Sequence, residues 1–281
     1  MKEVKLQWHP AFVAAMDLEF EYNRADLIFE KEYNLNTKPL EIDLLVIKKD
    51  ASTRIESEIG NLFKGHNIVE YKSPEDHLDI DTFYKTLAYA CLYKSYGKAV
   101  DAIKAEDITL SIIREIKPAA LFRYFKNRGW SVSEHCKGVY YLDVVNWFPV
   151  QIVVTNELDW DVHGWLKALS PNLKKDDFRK LLDKRNQIID KSDRELIDSV
   201  LEVSFGANRK IVDELIGDEN MYEVLMEIME PKIQKVRIQE AVDALKDFGH
   251  KDAEIKSAII KKYNLSADEA DEYLQKAIAN V

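Results

Sequence analysis

The 281-residue chain has 46% hydrophobic and 32% charged side chains, a balance typical of a globular protein with a core in one large or two modest domains. It has no apolar run of membrane-spanning length, and Met1 leads into a polar start without a signal-peptide core, so we expect a cytoplasmic protein with no membrane partner. Its net charge of −10 excludes a global attraction to nucleic acid, so such a substrate would need a local basic groove and metal ions.

The first 155 residues predict a mixed α/β core, because helical stripes alternate with short aliphatic or β-branched runs bounded by turn residues. The predicted helices cover 8–23, 56–64, 81–96 and 118–128. The predicted strands cover 27–34, 40–48, 67–73, 108–113, 131–133, 139–144 and 150–154. The fold class is therefore α/β, a mixed sheet flanked by helices.

The remainder of the chain predicts an all-α region, because its apolar residues recur at helical spacing. The predicted helices cover 157–169, 175–190, 192–204, 207–216, 220–230, 232–248, 251–262 and 266–279. The last begins with the capping box Ser266-Ala267-Asp268-Glu269. We expect a core over 1–155, a helical extension packed on it over 156–232, and a small C-terminal helical module over 233–281.

Charged residues interrupt two of the predicted buried strands: Asp43 lies in one, and Glu70 and Lys72 in the other. Buried charges are costly unless they pair or bind a metal. Since strand side chains alternate between faces, Glu70 and Lys72 point the same way and Tyr71 points opposite. Two carboxylates and an ammonium beside paired strands predict a site for a hard divalent cation and an activated water. The alternative is that Lys72 neutralises one of the acids as a buried ion pair.

The first predicted helix carries a further acid on its apolar stripe. At 100° per residue, Glu19 falls within the stripe formed by Phe12, Ala15, Met16 and Phe20. A solvated glutamate would belong on the opposite face, so Glu19 is a candidate ligand. The alternative is a glutamate at the edge of the stripe that pairs with a lysine or arginine.

This arrangement resembles the active-site pattern of the PD-(D/E)xK nuclease superfamily: a helix bearing Glu19 comes first, then a strand with Asp43, and then a strand with Glu70-Tyr71-Lys72. More narrowly, the chain is similar to the bacterial PD-(D/E)xK nuclease-family transposases and recombination-promoting nucleases in the phrases Leu40–Lys49, Glu70–Pro74 and Phe83–Lys85. The resemblance covers the first 155 residues well and the helical half more loosely. It departs from the pattern in that Glu41-Ile42, not proline, precedes Asp43. It implies a restriction-endonuclease-like core.

The resemblance implies a ligand set for Mg²⁺, with Mn²⁺ as a substitute. Asp43 would be the principal ligand and Glu70 the second carboxylate. The backbone carbonyl of Tyr71 would be a third ligand, since hard cations accept carbonyl oxygens. Glu19 would be the helical acid that supports the metal or its waters.

The resemblance also implies the remaining catalytic roles. Lys72 would orient or help deprotonate the attacking water and stabilise charge that develops on the phosphate. Tyr84 and Lys85, on the helix that follows, are candidates for contacts with substrate phosphates. The implied activity is that of a magnesium-dependent endodeoxyribonuclease, which hydrolyses phosphodiester bonds in recombination, in mobile elements or in phage defence.

DNA is the expected substrate, and nuclease cores of this type often act as homodimers when they cut both strands. A rival hypothesis is an interaction or regulatory protein that keeps the nuclease fold with weak or no activity, its C-terminal helices binding a protein partner. The acidic net charge of −10 favours that rival. The presence of Asp43, Glu70 and Lys72 together argues against it.

Overall fold

The computed structural model describes residues 6–34, 41–50, 52–144, 147–216 and 236–279, together with 226 and 234. The chain divides into two compact units, Met1–Asp213 and Glu214–Val281. Helices that follow residue 155 pack directly against the first helix of the chain, which joins them to the sheet in a single unit.

Seven strands of the first unit form one mixed sheet: β1 Leu27–Asn34, β2 Glu41–Lys48, β3 His66–Lys72, β4 Ile108–Arg114, β5 Ser131–Cys136, β6 Val139–Asp143 and β7 Val150–Val154. Their spatial order is β1-β2-β3-β4-β7-β6-β5. The central strands β3, β4 and β7 are parallel, and the pairs on either side are antiparallel. The predicted mixed sheet is confirmed, and it places β2, which carries Asp43, directly beside β3, which carries Glu70.

The helices of this unit are α1 Trp8–Glu19, α2 Ile80–Ser95, α3 Ala119–Asn127, α4 Trp160–Lys167, α5 Lys175–Gln187 and α6 Lys191–Ala207, together with the first five residues of α7 Arg209–Ile216. The crossover between the parallel strands β3 and β4 contains α2, as parallel pairing requires. Side chains of α2 and α3 share a buried cluster with Ile68 and Ile112 on one face of the sheet. The opposite face meets α1, where the ring of Tyr71 stacks on that of Phe12 with centroids 4.4 Å apart.

Two of the helices predicted within the first 155 residues differ most from the structure. The first ends at Glu19 and is followed by a 3-10 turn, Glu21–Asp26, because the side chain of Asn23 bonds to the backbone of Arg54 and Glu56. The helix predicted over 56–64 is only the 3-10 turn Ile59–Leu62, whose glycine and asparagine are weak helix formers. Tertiary hydrogen bonds and local propensity thus override the apolar spacing in both places.

The second unit is helical, and the predicted all-α C-terminal region is confirmed. Its helices are α8, described over 236–247, α9 Asp252–Tyr263 and α10 Ala267–Ala279, with a buried core that includes Val242, Ile255, Ile259, Ala270 and Leu274. The predicted capping box is present, since Ser266 N–H donates to Glu269 Oε2 at 2.7 Å and Glu269 N–H donates to Ser266 Oγ at 3.2 Å. The helix predicted over 220–230 and the start of the next lie outside the described residues, apart from 226. None of the described helices is long and apolar enough to cross a membrane.

Candidate active site

The site begins where β2 and β3 part. Their antiparallel pairing runs from Ile47 opposite His66 to Leu44 opposite Val69, one residue short of Asp43 and Glu70. Beyond that point the backbone N–H of Tyr71 donates to Asp43 Oδ2 at 2.8 Å. The Asp43 carboxylate thus accepts a hydrogen bond that a backbone carbonyl of β2 would accept if the strands stayed paired. This bond fixes the Asp43 side chain at the fork, the point where β2 and β3 separate.

Glu70 and Lys72 face the same fork from β3. As the strand periodicity predicts, they share one side of β3, and Lys72 Nζ lies 2.8 Å from Glu70 Oε1. Glu70 is only 5% exposed, and its other oxygen, Oε2, is buried with no hydrogen-bond partner among the described residues. An unpartnered carboxylate oxygen in a buried position is unusual and costly, so a cation bound at this oxygen would stabilise it. We refer to Asp43, Glu70 and Lys72 as the carboxylate–lysine cluster.

The protonation of the cluster reflects two acids that share one cation. Burial, and after it the nearby charge of Asp43, raise the pKa of Glu70 to about 7, although Lys72 and Lys85 oppose the rise. Burial also raises the pKa of Asp43, although the Tyr71 N–H, His9 and Lys72 oppose that rise. Burial lowers the pKa of Lys72, but the charge and hydrogen bond of Glu70 together with the charges of Asp43 and Asp76 outweigh it, and the pKa is raised. The lysine is therefore an ammonium at neutral pH, and the two carboxylates carry more negative charge than it can neutralise.

Tyr71 contributes to the site through its backbone alone. Its ring lies on the opposite face of β3, 2% exposed and stacked on Phe12 of α1. This placement agrees with the alternation expected for strand side chains. The backbone is held rigidly beside Asp43 because the ring is locked in the core.

The structure does not bring Glu19 to the cluster. It lies at the far end of α1 from His9, ten residues or about 15 Å along the helix axis, and its Oε1 accepts from Ser57 Oγ at 2.5 Å. The same oxygen lies 2.8 Å from His163 Nδ1, and His163 Nε2 lies 3.2 Å from Glu58 Oε2. Neither sequence alternative describes this arrangement, since the partner of the buried glutamate is a histidine on α4 rather than a metal, lysine or arginine.

The candidate phosphate contacts on α2 lie near the cluster but outside it. Tyr84 and Lys85 are both solvent-exposed. The charge of Lys85 is close enough to lower the pKa of Glu70, and its Nζ lies 5.6 Å from the centre of the Tyr89 ring. Tyr84 packs edge-on against Phe83 with ring centroids 6.2 Å apart.

Sequence reasoning missed two polar neighbours of the cluster. His9 Nε2, in the first turn of α1, lies 3.7 Å from Asp43 Oδ1. Asp76, whose Oδ2 accepts from Ser73 N–H and Ser73 Oγ–H, is close enough to influence the pKa of both Asp43 and Lys72. The sequence contained no signal for His9, because its position opposite Asp43 depends on how α1 crosses the sheet.

The cluster fits a hard divalent cation in the chemistry of its donors, though not as a complete cage. Asp43 and Glu70 supply carboxylate oxygens, the donors that Mg²⁺ prefers, and one oxygen of Glu70 has no partner in the described chain. Among the residues that the structure describes, no three His, Cys, Asp or Glu side chains form a group that could hold a metal. Mg²⁺ is compatible with this, since it is usually held by one or two carboxylates and keeps several waters.

Comparisons of the chain with models of protein families, with curated proteins and with solved structures find no match. Function must therefore be inferred from the residues of the site themselves.

Proposed function

We propose that the protein is a metal-dependent nuclease that hydrolyses phosphodiester bonds, with DNA as its substrate. One observation carries the proposal: the buried carboxylate of Glu70, the half-buried carboxylate of Asp43 and the ammonium of Lys72 converge where β2 and β3 part, and Glu70 Oε2 there has no partner among the described residues. A purely structural ion pair would need one acid, whereas this fork holds two. The resemblance of the same residues to the PD-(D/E)xK pattern supports the same proposal.

Asp43 and Glu70 would hold Mg²⁺, with the backbone carbonyl of Tyr71 as a further donor. The bound cation would supply activation of a water molecule and neutralisation of phosphate charge. Lys72 keeps its ammonium beside the two acids, because their charges raise its pKa. This supports a role in stabilising negative charge on the phosphate over a role as a general base, which would need a neutral amine.

The rival function is that of an interaction or regulatory protein with a nuclease fold. It is favoured by the acidic net charge of −10 and by the 2.8 Å contact of Lys72 with Glu70, which would satisfy a purely structural pair. It leaves the second acid, Asp43, and the unpartnered oxygen of Glu70 without an explanation. We therefore place it second. A role in recombination, mobile elements or phage defence, a homodimeric state and a protein partner for the C-terminal helices remain proposals that rest on the sequence.

The test is cleavage of supercoiled plasmid and of single-stranded DNA by the purified chain in Mg²⁺, Mn²⁺ or EDTA. Asp43→Ala and Lys72→Ala should each lower the rate by at least about a hundredfold, because each removes charge stabilisation at the reacting phosphate. Glu106→Ala, at an exposed acid far along the chain from the cluster, is the matched control and should cleave like wild type. Wild-type protein as inert as both variants under all three conditions would overturn the proposal and favour the interaction protein.

A further inference from the structure

The carboxyl end of β4 carries an arginine beside the carboxylate–lysine cluster. Arg114 is the last residue of β4 and pairs directly with Lys72, the last residue of the parallel strand β3. Neighbouring strands lie about 4.8 Å apart, so the two residues are immediate neighbours across the sheet. Ligands of open α/β sheets bind outside the carboxyl ends of the strands, which is where both residues lie.

Arg114 extends from the same face of the sheet as Glu70 and Lys72. The register pairs Glu70 with Ile112 and Lys72 with Arg114, and side chains that pair directly across a ladder project from one face. Ile112 belongs to the buried cluster formed with α2 and α3, which identifies that face. The guanidinium therefore lies on the side of the sheet from which Lys72 reaches Glu70.

The guanidinium of Arg114 has no anionic partner in the part of the chain that the structure describes. The side chain is half-buried, its Nε is buried without a hydrogen-bond partner, and no ion pair joins it to a described residue. Glu115, the next residue, is engaged elsewhere, since its Oε1 accepts from Ser170 Oγ and from Asn172 Nδ2. Burial lowers the pKa of Arg114, and the charge of Glu115 opposes that fall only in part. The positive charge is therefore held without compensation.

The neighbouring lysine adds to the cost of this uncompensated charge. The ammonium of Lys72 lies 2.8 Å from Glu70 Oε1, so Lys72 has an acid of its own. Like charges directly opposite each other on paired strands are destabilising, and a half-buried charge without a partner is destabilising too. An anion bound by Lys72 and Arg114 together would remove both costs.

We infer that Arg114 is a further catalytic residue of the proposed nuclease, which binds a non-bridging oxygen of the phosphate that is cut. The inference rests on the proposed function and adds a residue to its chemistry. A guanidinium binds phosphate through two parallel hydrogen bonds and keeps its charge throughout a reaction. Lys72 and Arg114 would hold the phosphate from neighbouring strands, on the side of the cluster away from Asp43, and stabilise the negative charge that develops there.

Arg114→Met tests this role in cleavage, because methionine keeps an apolar stem and removes the charge. The kcat for DNA in Mg²⁺ should fall by about a hundredfold, since a donor to the reacting phosphate is lost. Arg114→Lys should recover part of the rate, because it restores the charge but not the paired hydrogen bonds. Arg179→Met, which removes the same charge from the exposed surface of α5, is the matched control and should cleave like wild type.

Two further measurements separate catalysis from support of the fold. In urea unfolding in EDTA, Arg114→Met should have a midpoint at least as high as that of wild type, because an unpaired charge beside Lys72 is removed. Arg114→Met should also bind Mn²⁺ at least as tightly as wild type, because the arginine repels a cation held by Asp43 and Glu70. An arginine that only stabilises the fold would instead lower the midpoint when it is replaced.

Binding of thymidine 3′,5′-bisphosphate, measured by calorimetry in Mn²⁺, tests phosphate recognition without cleavage. This probe carries two phosphates and is too small to depend on a distant DNA-binding surface. Wild type and Arg179→Met should bind it alike. Arg114→Met should bind it at least about tenfold more weakly, because a charge-assisted contact is lost.

Any one of three results for Arg114→Met would overturn the inference: cleavage at the wild-type rate, bisphosphate binding equal to that of Arg179→Met, or an unfolding midpoint below that of wild type. Because phosphate binding is measured apart from cleavage, the two proposals fail separately. Cleavage that is lost in Asp43→Ala but unaffected in Arg114→Met supports the nuclease and overturns the role of Arg114. Bisphosphate binding that depends on Arg114 in a chain that cuts no DNA supports the phosphate site and overturns the nuclease. A wild-type chain that neither cuts DNA nor binds the probe overturns both.

Discussion

Replacing Glu70 with glutamine should remove a large pH dependence from the stability of the first unit. Burial and the charge of Asp43 raise the pKa of Glu70 from 4.5 to about 7. The folded state therefore holds this proton more tightly than the unfolded chain does. The stability that the neutral carboxyl contributes is fully present below about pH 4.5 and is lost as the pH rises through about 7.

The size of the effect follows from the two pKa values. Each pH unit between them corresponds to about 1.4 kcal/mol, so a pKa raised from 4.5 to about 7 amounts to about 3 kcal/mol. Wild type should lose about that much free energy of unfolding relative to Glu70→Gln between pH 4.5 and pH 8. The loss is expected in EDTA, because a cation at the cluster would itself favour the ionised carboxylate.

Urea unfolding followed by tryptophan fluorescence measures this directly, since all five tryptophans lie in the first compact unit. Wild type, Glu70→Gln and the exposed control Glu106→Gln would be unfolded at pH 5, 6, 7 and 8. The difference in free energy of unfolding between wild type and the control should not change with pH. The free energy of unfolding of wild type should fall relative to that of Glu70→Gln as the pH rises. A gap between wild type and Glu70→Gln that does not change with pH would refute the reasoning, because Glu70 would then not titrate in this range.

Three further predictions concern stability. Burial lowers the pKa of His163, but Glu19 and Glu58 raise it above 6.5 on balance. His163→Gln should therefore lower the free energy of unfolding by about 3 kcal/mol near pH 6 and by progressively less at higher pH. In urea unfolding, a loss of stability that grows with pH would contradict this. The side chain of Asn67 makes four buried or half-buried hydrogen bonds at the start of β3. Asn67→Ala should therefore lower the free energy of unfolding by about 3 kcal/mol. A loss under about 1 kcal/mol would show that water replaces these hydrogen bonds. Ser266→Ala should lower the free energy of unfolding of the second unit, measured by calorimetry, by about 1 kcal/mol. Ser266→Asp, whose carboxylate can still cap α10, should retain most of that stability.

Much of the sheet could be predicted because the strands β2, β3, β4 and β7 are largely buried apolar runs of standard length. The predicted bounds of β1, β2, β3, β4 and β7 are within one residue of the observed ones. Helices that depend on tertiary contacts were harder to predict. The spacing of apolar residues extended α1 to residue 23, but the amide of Asn23 bonds to a loop about thirty residues along the chain, which no local pattern could indicate.

The residues of the candidate site could be predicted only where a charged residue lies within an apolar stretch of the sequence. Asp43, Glu70 and Lys72 stood out because charges inside apolar strands need partners, and the structure brings all three together. Glu19 gave the same signal from α1, but its partner, His163, follows it by more than a hundred residues. The approach of His9 to Asp43 depends on the angle between α1 and the sheet, which composition and periodicity do not determine.

The most direct test of the central claim is Mn²⁺ binding at the carboxylate–lysine cluster, measured by the electron paramagnetic resonance of free Mn²⁺ at about pH 7.5. Wild type and the control Glu106→Gln should bind Mn²⁺ alike. Asp43→Asn and Glu70→Gln should each weaken that binding by about tenfold or more, on the order of the losses seen when metal sites are perturbed. Binding that is equally tight in wild type, Asp43→Asn and Glu70→Gln, or absent in all of them, would contradict the account, because the unpartnered oxygen of Glu70 would then not mark a cation site.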